Sequence, residues 1–279
     1  MIYEVIHLKE LYPVLARNGA DPTIEVMVQD TVRPEYKGKF LRPSVLICPG
    51  GGYGMTWLGE GQPVAYDYMA AGCNCFVLRY SCAPHTYPQQ IAEVACAVDF
   101  IIENAEKYNC NPVKTAVLGF SAGGHVAASY CTLRNDAEVL ALVPNPRPVQ
   151  AAILCYPVIS AEQPTHSGSF KNLTGKQELT EKDIEHFSLE KHVDDQVTPQ
   201  TFIWAASDDR SVNPVNSLKY AAALGQKKIP YELHIFPKGG HGITTCKYGL
   251  VSAPQSDDMQ HNAVWCTLAV EWLKSVFEF

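Results

Sequence analysis

Thr115-Ala-Val-Leu-Gly-Phe-Ser-Ala-Gly-Gly-His125 is the stretch whose reading decides the fold. Ala116 to Gly119 are apolar or small and read as a buried strand, while the run from Ala122 (Ala-Gly-Gly-His-Val-Ala-Ala-Ser-Tyr) reads as a helix. Between them, Gly119-Phe-Ser121-Ala-Gly123 places a serine on a strand-to-helix turn. A turn that sharp needs small residues at both flanking positions, because a Cβ there would strike the adjoining strand or helix. The hydroxyl is then lifted clear of the sheet. The first unpaired N–H groups of the helix face any negative charge that forms beside it.

Outward from this turn, strands and helices alternate. Val45-Leu-Ile-Cys48, Cys75–Tyr80, Ala151–Tyr156, Thr201–Ala206 and Tyr231–Phe236 are short runs read as strands. Helical patterns fall at Gln62–Ala71, from Pro88 to about Tyr108, from Ala122 to about Leu133, at Val215–Leu224 and from about Asp258 to Phe277. This order predicts an α/β fold, a mostly parallel central sheet with helices on both faces. Thr23–Gln29 alternates and predicts a half-exposed antiparallel edge strand. From 160 to 199 the core pattern lapses, and the segment is too long for a plain connection. Phe170, Leu173, Ile184, Phe187 and Leu189 give it something to bury, and Thr180-Glu-Lys-Asp starts a short helix. It is expected to form a small cap insertion over the carboxyl edge of the sheet, within a single domain spanning 1–279.

The 279 residues carry a net charge of -7 and no basic run, which argues against a nucleic-acid or anionic-membrane surface. The start lacks a leader pattern and no segment is apolar enough to span a bilayer, so a cytoplasmic location is expected. The ten cysteines, Cys48 to Cys266, lack paired C-x-x-C spacing and read as reduced core thiols. Asn172-Leu-Thr174 matches a glycosylation acceptor only by chance on this reading. His166, His186 and His192 lack a patterned cysteine or carboxylate partner, so they are taken as surface residues, with no metal expected.

Three loops after strands carry chemistry. A serine hydroxyl needs a positioned imidazole to take its proton, and a carboxylate to orient that imidazole. Ser121, Asp208 or Asp209, and His241 occur in the order serine, acid, histidine. Asp209 is preferred because Asp-Arg-Ser-Val212 forms a D-x-x-V turn, and Asp208 stays open as the alternative. Among the histidines, His234 lies in a strand and His125 in a helix, where packing or a backbone hydrogen bond is the commoner fate. His85 and His261 are the other competitors, and His241 alone stands in a glycine-rich loop after the last strand. Pro49-Gly-Gly-Gly-Tyr53 follows a strand at the end where open α/β sheets place ligands, and it lacks the Lys-Ser/Thr of a phosphate loop. Ala122 and the Gly51-Gly52 turn are expected to supply oxyanion donors, with Tyr53 and Trp57 walling the acyl pocket.

With Pro-Gly-Gly-Gly-Tyr53, Gly-Phe-Ser-Ala-Gly-Gly-His125, the aspartate turn and Gly-Gly-His-Gly242, the chain resembles the α/β-hydrolase fold esterases. More narrowly it resembles the bacterial carboxylesterase group labelled acetylxylan esterase-like or endo-1,4-beta-xylanase B-like. Gly59-Glu-Gly-Gln-Pro-Val-Ala65, Leu78-Arg-Tyr80 and Tyr87-Pro88 fit that group, so the resemblance covers nearly the whole chain. It implies a cofactor-free serine esterase acting on small acyl esters, acetylated sugars or xylan fragments among them. Ser121, Asp209 and His241 would form the triad, with Gly51, Gly52 and Ala122 as oxyanion donors. Two departures stand out: Pro49 where the hormone-sensitive-lipase branch usually has histidine, and Glu93 where relatives often carry aspartate. A peptidase or arylformamidase of the same fold, or an inactive hydrolase-like binding module, are the alternatives. The expected partner is a small ester, and a homodimer is left open.

Overall fold

The structure is a computed structural model that describes residues 1–30, 35, 38–247 and 257–279. Among them, eight strands follow in chain order: β1 (Ile2–His7), β2 (Thr23–Val28), β3 (Arg42–Cys48), β4 (Asn74–Arg79), β5 (Cys110–Phe120), β6 (Ala151–Cys155), β7 (Gln200–Ala206) and β8 (Tyr231–Phe236). They form one sheet in the order β1-β2-β4-β3-β5-β6-β7-β8. From β4 to β8 every neighbouring pair is parallel, whereas β2 runs antiparallel to both β1 and β4.

The central strands are apolar throughout because both faces are covered. One face packs Leu46, Phe76, Val117, Leu154 and Ile203 against helices Gln89–Glu103, Ser121–Leu133 and Val215–Gln226. The other packs Ile47, Val77, Leu118, Ile153 and Trp204 against helices Gln62–Ala70 and Val264–Phe277. Parallel strands joined by crossovers end on the same edge, which brings the loops after β3, β5, β7 and β8 together.

Two sequence expectations are corrected. Thr23–Val28 is an interior strand, buried beyond Thr23, and Ile2–His7 forms the edge outside it. The alternation that suggested a solvent face reflects Glu25, which is buried and held by Arg79 Nε at 2.6 Å and Gln62 Nε2 at 2.8 Å. The helix after Pro88 stops at Glu103 rather than near Tyr108, and a separate turn spans Ala105–Tyr108. At the break, Asn104 turns its side-chain amide back onto the carbonyl of Phe100 at 2.9 Å, a local bond that competes with helix continuation.

Segment 160–199 is ordered. It holds helices Ser167–Thr174 and Glu181–Phe187, the second opened by a Thr180–Asp183 capping box. Phe170, Leu173, Phe187 and Leu189 are buried, and Ile184 is partly so. His125 of the elbow helix ties this segment to the body. Its Nε2 donates to the carbonyl of Phe187 at 3.2 Å, its Nδ1 accepts from the Tyr53 hydroxyl at 2.7 Å, and Phe170 packs edge-on at 5.1 Å.

Burial holds the pKa of His125 down to about 4, against the partial support of the Phe187 carbonyl. An unfolded chain therefore takes up this proton first as pH falls. The contribution is complete above the unfolded value near 6.5 and is lost progressively toward pH 4. Urea denaturation at pH 7 and pH 5 should show wild type losing roughly 2 kcal/mol more than His125→Gln over that interval. Equal losses in the two proteins would show that His125 does not stay neutral in the fold.

Candidate active site

β5 delivers Ser121 directly into its helix with φ +52°, a left-handed conformation held by the turn. The flanking glycines are obligatory on contact grounds. A Cβ on Gly119 would meet the carbonyl oxygen of Gly123 at 2.2 Å, and one on Gly123 would meet the carbonyl oxygen of Cys48 at 2.1 Å. The second contact clamps the end of β3 to the start of the elbow helix, so the glycine loop that follows β3 sits beside Ser121.

The loops after β7 and β8 complete a hydrogen-bonded line. Ser121 Oγ lies 2.8 Å from His241 Nε2, and His241 Nδ1 lies 2.6 Å from Asp209 Oδ2. The ionised carboxylate can only accept, so Nδ1 carries the proton and Nε2 is left to accept from the serine. Asp209 is fixed in turn, its Oδ1 accepting from the backbone N–H of Ser211 at 2.8 Å and Val212 at 2.9 Å. Its side chain is fully buried, and that of His241 is about one-fifth exposed. Asp208 has a different place: it accepts from the backbone N–H of Gly240 at 2.9 Å and so holds the histidine loop's turn.

Around the serine, the N–H of Ala122 sits in the first turn of its helix. The N–H of Gly50 is committed to Glu60 Oε2 at 2.7 Å, whereas those of Gly51 and Gly52 have no acceptor among the described residues. Trp57 is partly exposed, with its ring 3.7 Å from where a Cβ on Gly242 would stand, beside His241. Tyr53 is a correction. Expected on the pocket wall, it is 1 % exposed, with its hydroxyl turned to His125 and its ring packed edge-on against Tyr80. His234 is engaged with Glu232 at 2.7 Å, and His261 packs edge-on against Phe236.

Sequence reasoning missed four residues that shape the site. Glu60 is buried, and its two oxygens accept from the Gly50 N–H and from the Tyr156 hydroxyl at 2.7 Å. Burial raises its pKa, opposed by those two hydrogen bonds and by His241. Tyr156 accepts from the Thr244 N–H at 3.0 Å and lays its ring edge-on to His241 at 4.9 Å. Asn172, read as a chance acceptor pattern, donates its side-chain amide to the carbonyl of Gly52 at 2.8 Å. His166, read as a surface residue, is half-buried, with Cε1 3.9 Å from where a Cβ on Gly52 would stand. Glu60 stands in Gly59-Glu-Gly61, a stretch without periodicity, where only a lone charge just before a helix hinted at a role.

A mostly parallel sheet that gathers serine, aspartate and histidine at the ends of its strands, in this order along the chain, defines an α/β hydrolase. The chain belongs to the BD-FAE family, whose sequence model matches residues 33–224. It is 38% identical over 212 residues to endo-1,4-beta-xylanase B of Butyrivibrio fibrisolvens, covering 73% of this chain and 33% of that protein. It is 34% identical over 207 residues to an acetylxylan esterase of Xylanibacter ruminicola, covering 72% and 41%. The chain thus spans a third to two-fifths of the length of these curated relatives. Among solved structures, an acetyl ester-xyloside bifunctional hydrolase from Caldicellulosiruptor lactoaceticus superposes with a TM-score of 0.82 at 30% identity, over 98% of this chain and 96% of that one. A carboxylesterase from Lactobacillus plantarum gives 0.82 at 28%, over 99% and 98%. The proteins that it resembles here are named as esterases and hydrolases. No helix among the described residues is long and apolar enough to cross a membrane.

Tyr156→Phe keeps the ring on His241 but strips a donor from buried Glu60 and an acceptor from the Thr244 N–H. Its cost in urea denaturation should be about 2–4 kcal/mol. A change within about 0.5 kcal/mol would mean that the Glu60–Tyr156–Thr244 chain does not hold the histidine loop.

Proposed function

We propose that this protein is a serine esterase that cleaves small acyl esters, acetylated sugars among them, through Ser121, His241 and Asp209. The observation that carries the reading is the continuous Ser121–His241–Asp209 line, with contacts of 2.8 and 2.6 Å. As Ser121 Oγ attacks the acyl carbon, its proton passes to His241 Nε2, and Asp209 stabilises the imidazolium. The same proton then goes to the leaving alcohol oxygen as the ester bond breaks. Water, deprotonated by His241, attacks the acyl-serine, and the carboxylic acid and free serine result. The negative oxygen of each tetrahedral intermediate is met by the N–H of Ala122 and by the uncommitted N–H groups of Gly51 and Gly52.

The acyl-size and sugar readings draw support from the relatives named as an acetylxylan esterase and an acetyl ester-xyloside hydrolase. Around the glycine loop, Met55 and Leu58 are exposed to 56% and 71% and flank the partly exposed Trp57, an apolar rim suited to the flat face of a ring.

The test compares p-nitrophenyl acetate, butyrate and octanoate with an aminoacyl amide. Acetate should turn over fastest, and Ser121→Ala should cost on the order of a millionfold in kcat, the loss known for the corresponding serine of subtilisin. Asp209→Asn should cost roughly ten-thousandfold through the wrong imidazole tautomer, and Asp208→Asn no more than about fivefold. Ester turnover that survives Ser121→Ala, or turnover of the amide alone, would overturn the reading. Equal losses for the two aspartate variants would overturn the choice of Asp209.

A further inference from the structure

His166 sits where segment 160–199 meets the glycine loop, and one of its two ring nitrogens is already spoken for. Nδ1 lies 2.8 Å from Ser169 Oγ and 3.3 Å from the Ser169 backbone N, which can only donate. Nδ1 is therefore an acceptor, and the proton of the neutral ring resides on Nε2. Ser169 itself is buried, so this arrangement is fixed by packing as well as by the bonds. Nε2 has no protein partner among the described residues, yet it is not sealed in the core. Nε2 is bonded to Cε1, and Cε1 lies 3.9 Å from where a Cβ on Gly52 would stand, so the ring rests against the glycine loop.

Burial lowers the pKa of His166, His241 lowers it further, and Asp209 opposes, so the ring lies within electrostatic reach of both. A neutral imidazole locked as a donor cannot take a proton from the reacting groups through Nε2. Capping its own helix uses Nδ1 alone and leaves Nε2 for something that enters the site. The leaving oxygen of an ester must stand over His241 Nε2 to receive its proton. The alcohol portion of the substrate therefore stands beside His241, and the glycine loop against which His166 rests is the loop that abuts Ser121.

We propose that His166 is a specificity-determining residue whose Nε2–H donates a hydrogen bond to a hydroxyl or ring oxygen of a polyhydroxylated alcohol, a sugar, while its ester is cleaved at Ser121. The inference rests on the reading of Ser121 and His241 as the ester-cleaving pair. It assigns the polar half of the substrate to segment 160–199 and leaves the acyl half to the elbow and glycine loop.

The experiment measures kcat and KM for wild type, His166→Phe and His166→Gln on two esters: an O-acetylated methyl xyloside, and p-nitrophenyl acetate, whose alcohol has no hydroxyl to recognise. With His166→Phe, kcat/KM for the xyloside acetate should fall about 10- to 100-fold, mainly through KM, while p-nitrophenyl acetate stays within about twofold. His166→Gln, whose amide N–H can donate, should recover part of the loss. A parallel fall on both esters would mark His166 as a structural cap only, and overturn the proposal. So would no change on either, or a wild type that cleaves p-nitrophenyl acetate but not the xyloside acetate. A wild type silent on both esters would remove the underlying esterase reading, and the proposal with it.

Discussion

The close approach of the elbow helix to the end of β3 is the constraint on which the site depends. Gly123 lies under the carbonyls of Cys48 and Pro49 so tightly that no side chain fits between them. That contact sets the glycine loop beside Ser121, and the left-handed backbone of Ser121 lifts its hydroxyl off the sheet. A non-glycine residue in that region costs about 1–3 kcal/mol, which the fold must offset elsewhere. The offset is visible in the helix that follows, buried along its whole length from Ser121 to Leu133.

Around this fixed point, buried polar contacts tie together loops that are far apart in the chain. Glu60 joins the glycine loop to Tyr156, and Tyr156 joins both to the histidine loop at Thr244. Asp208 braces the same loop at Gly240, and Asn172 holds Gly52 from segment 160–199. In a low-dielectric interior such bonds are strong when made and expensive when broken. Donors and acceptors are thereby placed before any substrate arrives, the arrangement that electrostatic catalysis requires. His125 serves the same end on the far side of the elbow, linking Tyr53 to the carbonyl of Phe187.

The parallel sheet, the serine turn and the preference for Asp209 over Asp208 were legible because each depends on residues close in sequence. A glycine two before and two after a serine, or a valine three after an aspartate, carries its own geometry. The Val212 N–H on Asp209 Oδ1 is the physical content of that second spacing. What escaped depends on partners far along the chain. Glu60 and Tyr156 are 96 residues apart, and Asn172 and Gly52 are 120 apart. Tyr53 was misjudged because a tyrosine after glycines shows no period that says which way it turns. β1 escaped because its pattern leaves Tyr3 and Val5 nearly half exposed, so only pairing with β2 reveals it.

The central claim is that one serine, on one turn, is made nucleophilic by a histidine and an aspartate brought from two later loops. Peptide mapping by mass spectrometry after treatment with a fluorophosphonate tests it most directly, since that reagent captures an activated serine without reference to any substrate. The account predicts a single phosphonyl adduct on Ser121, abolished in His241→Ala although Ser121 is still present. An adduct on another serine, or undiminished labelling of Ser121 without His241, would contradict it.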